Sequence, residues 1–227
     1  MSVRVLYHGH SNLEIHSGAQ RIQIDPFYTG NPAADVVADK VNPTHILLTH
    51  AHGDHVGDAV ALAKRTKAPL VANYEMCLVL QKRGVPNILP MNHGGTLAVP
   101  FGRVTMTIAF HTSAFEDGAY GGQPAGFIVE TGGKTIYHAG DTALFGDMKL
   151  LGELFSIDLA CLPIGDCFTM GPAMAVMAAQ FLRVKKVLPI HYNTFPPIQQ
   201  DGGKFAAALK AVGIEGLILK AGEAVEL

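Results

Sequence analysis

The chain contains no tryptophan and only three cysteines, and charged residues fill 16% of its 227 positions. The cysteines, Cys77, Cys161 and Cys167, are odd in number and do not form a disulfide framework, which fits a reducing cytosol. No apolar run reaches the roughly 18 residues that a membrane-spanning helix needs, so no membrane partner is expected. Met1 to Leu6 reads as a strand and lacks the apolar core and cleavage site of a secretory signal. A cytoplasmic protein is the expectation. The formal net charge is −2 and there is no basic run, so the electrostatic footprint of a nucleic-acid binder is missing. Little charge beside 48% hydrophobic residues argues against disorder and supplies a large core. The length suits one domain over residues 1–227.

Histidine is abundant, with eleven in the chain. Three of them fall in Thr49-His50-Ala51-His52-Gly53-Asp54-His55, with an aspartate, directly after the apolar run Ile46-Leu47-Leu48. Imidazole and carboxylate groups this crowded must be solvated, hydrogen-bonded or metal-bound. On extended backbone, His50 and His52 point the same way and can converge on one ion. Asp54 and His55 come where the chain turns into a helix, which aims them elsewhere. Two adjacent ions with ligands from one loop are the natural outcome. The bland alternative is a solvated polar loop, which would suit a lone histidine better than this set.

Short β-rich runs open the chain, at Val3–Tyr7, Leu13–His16 and Arg21–Ile24. Residues 33–38 read as a short helical or irregular stretch. Thr44–Thr49 reads as a buried strand. Asp58–Lys67 reads as a helix, Leu70–Ala72 as a strand, and Tyr74–Arg83 as a helix ended by Gly84. Over Arg103–Phe110, Val104, Met106, Ile108 and Phe110 alternate with polar residues, which predicts one buried face. Ala125–Glu130 and Lys134–His138 form a hairpin across Thr131-Gly132-Gly133. Further helices are expected at Leu144–Phe155, Pro172–Arg183 and Lys204–Val212, and further strands at Asp158–Ile164, Lys186–Ile190, Leu217–Lys220 and Ala224–Leu227.

One loop cannot fill two zinc sites, because each ion wants about four ligands. His111, Asp141 and His191 each stand where an apolar strand gives way to a loop, the same context as His50. His93 lies in a glycine-flanked loop and is set aside. Histidine with a few carboxylates, and no thiolate near the loop, suits Zn2+ first, with Mn2+ and Fe2+ also compatible.

His50-Ala51-His52-Gly53-Asp54-His55 resembles the signature of the metallo-β-lactamase superfamily. The resemblance covers essentially the whole chain, and its order and spacing are most similar to small stand-alone hydrolases related to the L-ascorbate-6-phosphate lactonases. It implies an α/β fold, a four-layer αββα sandwich. It also implies a dinuclear site of two divalent metal ions. His50, His52 and His111 would hold the first ion, Asp54, His55 and His191 the second, and Asp141 would bridge them. The expected activity is hydrolysis of an ester, lactone or phosphodiester bond in a small-molecule substrate by a metal-bound hydroxide, with Asp54 orienting that hydroxide and shuttling its proton. The second motif position is His52 and not glutamate, which weighs against the redox-active di-iron relatives.

Other residues are candidates for substrate contact or for support of the ligands. His8 and His10 share a strand face, and His10 is preferred for contact with ligand or substrate. Asp25 ends a strand and can orient a ligand histidine. His138 can bond the bridging carboxylate. The loop Gly165–Pro172, with Asp166, leads into a helix whose N-terminus can hold an anion. Asn193 can steady an oxyanion. Phe115–Gly122, with three glycines, reads as a mobile flap. Cys77 and the methionines Met174 and Met177 are assigned to the core. Two other functions stand beside the hydrolase: a nuclease, against which the near-neutral charge argues, and a non-catalytic metal-dependent binding protein. A homo-oligomer is compatible with all three.

Overall fold

The computed structural model describes residues 2–227. Two seven-stranded sheets face each other. Strands β1 (Val3–Tyr7), β2 (Leu13–Ser17), β3 (Gln20–Ile24), β4 (His45–Leu47), β5 (Leu70–Asn73) and β6 (Ile88–Met91) lie in sequence order in the first. The second is built from β7 (Thr96–Val99), β8 (Gly102–Ile108), β9 (Ala125–Thr131), β10 (Lys134–His138), β11 (Leu159–Pro163), β12 (Lys186–Ile190) and β13 (Glu215–Gly216). Strand β14 (Ala224–Glu226) then returns to pair with β1. Each sheet is antiparallel on one side and parallel on the other, with the switch at β3/β4 in one and at β9/β10/β11 in the other. This internal repetition of architecture leaves no repeat in the sequence.

Alternation explains the layers. Val3, Val5, Ile15, Ile22, Ile24 and Leu47 point inward from the first sheet and meet Val104, Met106, Phe127, Val129, Cys161 and Leu188 from the second. The opposite face of the first sheet, with Ile46, Leu48, Leu70 and Ala72, is covered by α2 (Ala59–Thr66) and α3 (Tyr74–Lys82). The outer face of the second is covered by α4 (Met148–Leu154), α5 (Pro172–Phe181) and α6 (Gly202–Ala211). The result is the expected four-layer αββα sandwich, the metallo-β-lactamase fold. At roughly 1.5–3 kcal/mol per buried large aliphatic side chain, the inter-sheet core is a principal stabilising term.

Several elements differ from the sequence-based expectation. Residues 217–220 form no strand, because the chain there leaves the second sheet at β13 to rejoin the first at β14; Leu217 and Leu219 pack at the edge of the inter-sheet core on the way. The helix expected from Leu144 begins at Met148, after Leu144 and Phe145 have packed onto the outer core. Strands β6 and β7 gave no clear alternation since both are sheet edges, and β6 carries Pro90, which edges tolerate. Residues 33–37 take the irregular of the two forms expected there and lead into a 3-10 turn at Ala38–Lys40. The alternating face of β8 ends early: Val104 and Met106 are buried, but Ile108 and Phe110 are exposed beyond the end of the opposing sheet. Met174 and Met177 are not core. Helix α5 buries Ala175, Ala178 and Ala179, whose small side chains let it approach the sheet, and turns the methionines outward.

Candidate metal centre

The chain leaves β4 at Leu47 and passes through His50 and His52 into a single helical turn, α1 (Gly53–Val56). That turn is stopped by Gly57, at φ +40°, where an added Cβ would meet Pro26 O at 2.6 Å and Phe27 Cα at 2.7 Å. Only glycine fits there. The ends of β8, β10 and β12 bring in His111, Asp141 and His191 at the same edge of the sandwich.

The seven residues meet. Asp141 Oδ2 lies 2.9 Å from His191 Nε2, 3.4 Å from His55 Nε2, 3.6 Å from His111 Nε2 and 4.0 Å from His50 Nε2. His50, His52 and His111 form one mutually close set of ligand atoms; Asp54, His55 and His191 form part of a second; His50, His55 and Asp141 form a third between them. His50 Nε2 and His52 Nδ1 are 3.0 Å apart, near the ~3.3 Å edge of a tetrahedral zinc site with 2.0–2.1 Å bonds.

Asp25 prepares two of these rings. Its Oδ2 accepts from His55 Nδ1 at 2.8 Å and from the Thr49 hydroxyl at 2.7 Å, and its Oδ1 accepts from the Thr49 amide at 2.9 Å. Since the Thr49 hydroxyl hydrogen goes to Asp25, its oxygen accepts from His50 Nδ1 at 3.0 Å. Both His50 and His55 are thereby protonated at Nδ1, leaving Nε2 free to ligate, as orienting partners of metal ligands do. His55 Nε2 and Asp141 Oδ1 are buried with no hydrogen-bond partner. Such orphaned groups cost about 1–3 kcal/mol each, and a divalent ion between them removes that cost. The donor set therefore fits metal.

The carboxylates and imidazoles of the cluster shift one another's titration. Burial pushes the carboxyl of Asp141 up, but His191 and His55 outweigh it and hold it well below the usual carboxylate range. Burial also opposes ionisation of Asp54, yet hydrogen bonds from His10 and His191 keep it ionised. Burial disfavours the imidazolium of His191, but Asp141 and Asp54 raise it to about 9. His55 is raised in the same way by Asp141 and Asp25 against its burial. His50, His52 and His111 are all lowered by burial first; the positive neighbour His55 adds to this for His50 and His52, whereas Asp141 opposes it at His111.

His10 joins the second set, which sequence alone did not assign to it. It does not share a face with His8. The turn through Gly9 (φ +90°) and His10 (φ +59°) sends the rings apart, His8 to Asp35 at 2.7 Å and His10 into the cluster. Burial lowers His10 to about 4, so it is neutral. His138 does not contact Asp141; its Nε2 donates to Ser11 O at 2.9 Å and its Nδ1 accepts from the Gly140 amide at 3.1 Å, tying the two sheets together. Asn193 also turns away, its Oδ1 accepting from the Gln200 amide at 2.7 Å. Asp166 is exposed, and its own carboxylate lies against Gly171 at the start of α5, where an anion was expected. His93 bonds Pro124 O, outside the cluster.

The loop 115–122 is more firmly held than a flap. Phe115 is buried, its amide donates to Ala119 O, the Gly121 amide donates to Ser113 O, and Asn73 Nδ2 donates to Gly121 O at 2.7 Å. The turn Glu116–Gly118 and the ring of Tyr120 are the exposed parts of it. Thr49, Thr194 and Glu116 are the neighbours of the site that sequence reading missed. Thr49 carried a signal, since it directly precedes the motif, and Glu116 lies in the glycine-rich stretch read as a flap; Thr194 carried none.

Comparison with known proteins agrees with this geometry. The model of the β-lactamase superfamily domain matches residues 20–192. A UPF0173 metal-dependent hydrolase of Thermus thermophilus is 53% identical over 225 residues, covering 99% of each chain. One from Anoxybacillus flavithermus is 50% identical, covering 99% of this chain and all of its own. The solved structure of Igni18, a metallo hydrolase from Ignicoccus hospitalis, superposes with a TM-score of 0.92 at 34% identity, covering 100% of this chain and 99% of the other.

Proposed function

The chain belongs to the β-lactamase superfamily, among its UPF0173 metal-dependent hydrolases, and on that premise we propose that the histidine–aspartate cluster is a dinuclear centre hydrolysing an ester or lactone of a small molecule. The observation that carries this reading is the position of Asp141 Oδ2, within 4.0 Å of four imidazole Nε2 atoms drawn from three separate segments. His50, His52 and His111 would hold one divalent ion, Asp54, His55 and His191 the other, with Asp141 shared. Zinc suits the donor set best, and manganese is the alternative. Such ions would supply Lewis-acid chemistry, lowering the pKa of water and polarising the scissile bond.

The chain's own groups do the rest. Asp54, ionised and partly open to the cleft, is placed to accept a proton from the attacking water and return it to the leaving group. Asp25 and Thr49 hold His50 and His55 in the ligating tautomer. The resemblance of the sequence in order and spacing to the L-ascorbate-6-phosphate lactonases favours a cyclic ester in this reading. Phosphodiesters are open to the same chemistry. Nucleic acid is disfavoured by the net charge of −2. No helix among the described residues is long and apolar enough to cross a membrane, and Cys77, Cys161 and Cys167 are free, which supports a cytoplasmic setting.

The test combines metal analysis with a screen of model esters, lactones and phosphodiesters under added zinc or manganese. Two ions per chain, turnover abolished by chelator and restored by metal, and loss of both in Asp141→Ala are expected. Full occupancy without turnover of any ester, lactone or phosphodiester would favour a metal-dependent binding protein instead.

A further inference from the structure

A cleft of about 670 Å3 opens beside the cluster, with Gly53 and Asp54 on its floor. Its walls are the rings of Phe27, Phe115 and Phe195. Around these apolar faces the charges are unevenly committed. Asp58 accepts from the Tyr28 amide at 3.0 Å, the Thr29 amide at 2.8 Å and the Thr29 hydroxyl at 2.7 Å, so its carboxylate is used within the chain. Arg83 is the one cation lining the cleft among the described residues. Its Nη2 donates to Asp117 Oδ2 at 2.7 Å, and its guanidinium lies over the Phe115 ring, 4.1 Å from the centroid. That positive charge is spent before any ligand arrives.

Glu116 is different. Among the described residues it has no ion pair and no side-chain hydrogen-bond partner. Its carboxylate lies on the Cα of Gly53, so close that a Cβ at position 53 would overlap Oε1. Gly53 stands between His52 and Asp54, two of the proposed ligands. An uncommitted, exposed carboxylate therefore stands at the border between the cleft and the candidate metal centre.

We infer that this cleft receives the non-reacting part of the substrate, and that this part is apolar and carries a protonated amine. Glu116 supplies the negative charge that draws the ammonium, and the apolar lining of Phe27 and Phe195 takes the rest of the group, the Phe115 ring already carrying Arg83. A phosphate or carboxylate on the same part of the substrate would find no uncommitted cation and would face Glu116 directly. The cleft thus separates amine-bearing substrates from phosphorylated ones, although both could present the same ester or lactone. This rests on the hydrolase reading for the bond that is cut, but the charge selectivity is a property of binding alone.

Equilibrium binding to the zinc-loaded protein tests it, with 2-phenylethylamine, the neutral 2-phenylethanol and phenyl phosphate as probes. The amine is expected to bind roughly three- to fivefold tighter than the alcohol, the size of one partly exposed charge pair. Glu116→Gln should erase that gap and tighten phenyl phosphate, and Glu116→Lys should place the alcohol ahead of the amine. Phenyl phosphate also meets the metals, but that contribution is common to wild type and variants and cancels in their ratio. Equal binding of amine and alcohol by the wild-type protein, or a gap that survives in Glu116→Gln, would overturn the inference. A chain that selects the amine but hydrolyses nothing would sink the hydrolase reading and leave this one standing. A working hydrolase indifferent to Glu116 would do the reverse.

Discussion

His10 Nε2 stands 3.1 Å from Asp54 Oδ2, although the two residues are 44 positions apart. On its other side, His10 Nδ1 is 2.6 Å from the hydroxyl of Thr194. The ring is fully buried and packs on His191, with centroids 4.2 Å apart. A part-buried carboxylate of the proposed metal site is thus held in place by an imidazole that is itself held by a hydroxyl.

Loss of that support should weaken one metal position and spare the other. Thr194→Val or His10→Ala is expected to lower affinity for one equivalent of zinc by roughly 10- to 100-fold, the usual effect of removing an orienting partner. Calorimetric titration of the metal-free protein checks this. Two equivalents that both bind as in the wild type would contradict it.

Asp25 is expected to matter for folding as well as for metal. It is fully buried, accepts three hydrogen bonds, and faces the buried ring of His55. Asp25→Ala leaves His55 Nδ1 and the Thr49 groups without partners. Breaking a buried charged pair costs about 3–5 kcal/mol, so the urea midpoint should fall clearly and metal content with it. A variant with wild-type stability would show that Asp25 is dispensable.

Gly57→Ala should disturb the centre without touching a ligand. The added methyl collides with backbone atoms of Pro26 and Phe27, and the φ of +40° is itself unfavourable for alanine. A loss of about 2 kcal/mol is expected, in the range of overpacked sites. Thermal unfolding with and without zinc measures it, and metal affinity should fall together with stability.

Metal uptake should depend on pH in a direction set by His191. In the metal-free chain, burial opposes its imidazolium, but Asp141 and Asp54 raise its pKa to about 9, so it is protonated at neutrality. In that chain the ion pair stabilises fully below about 6.5, the unshifted value, and is lost as pH rises through about 9. Metal needs the ring neutral, so the sign reverses for binding. Affinity should climb about tenfold per pH unit for each proton displaced, levelling off near pH 9. Competition with a chromophoric chelator between pH 6 and 9 would show it. An affinity that does not change over that range would exclude proton displacement by the metal.

What the sequence determined by itself was local. Runs of apolar residues with period two placed most of the inner strands, and the motif from His50 to His55 pointed to a candidate metal centre because its spacing is short and resembles a known family signature. His111, Asp141 and His191 were legible for a related reason: each ends an apolar strand, and strand ends in a sandwich share one edge. Edge strands β6 and β7 were not legible, since half-exposed strands carry weak alternation. Nor was the exposure of Met174 and Met177, which depends on how closely α5 must approach its sheet. The tertiary structure alone decided that His10 leaves the face of His8, that His138 and Asn193 turn away from the cluster, and that Glu116 lies on Gly53. Those outcomes depend on positive φ angles and on contacts between residues tens to nearly two hundred positions apart, where no periodicity in the chain records which side chains will meet.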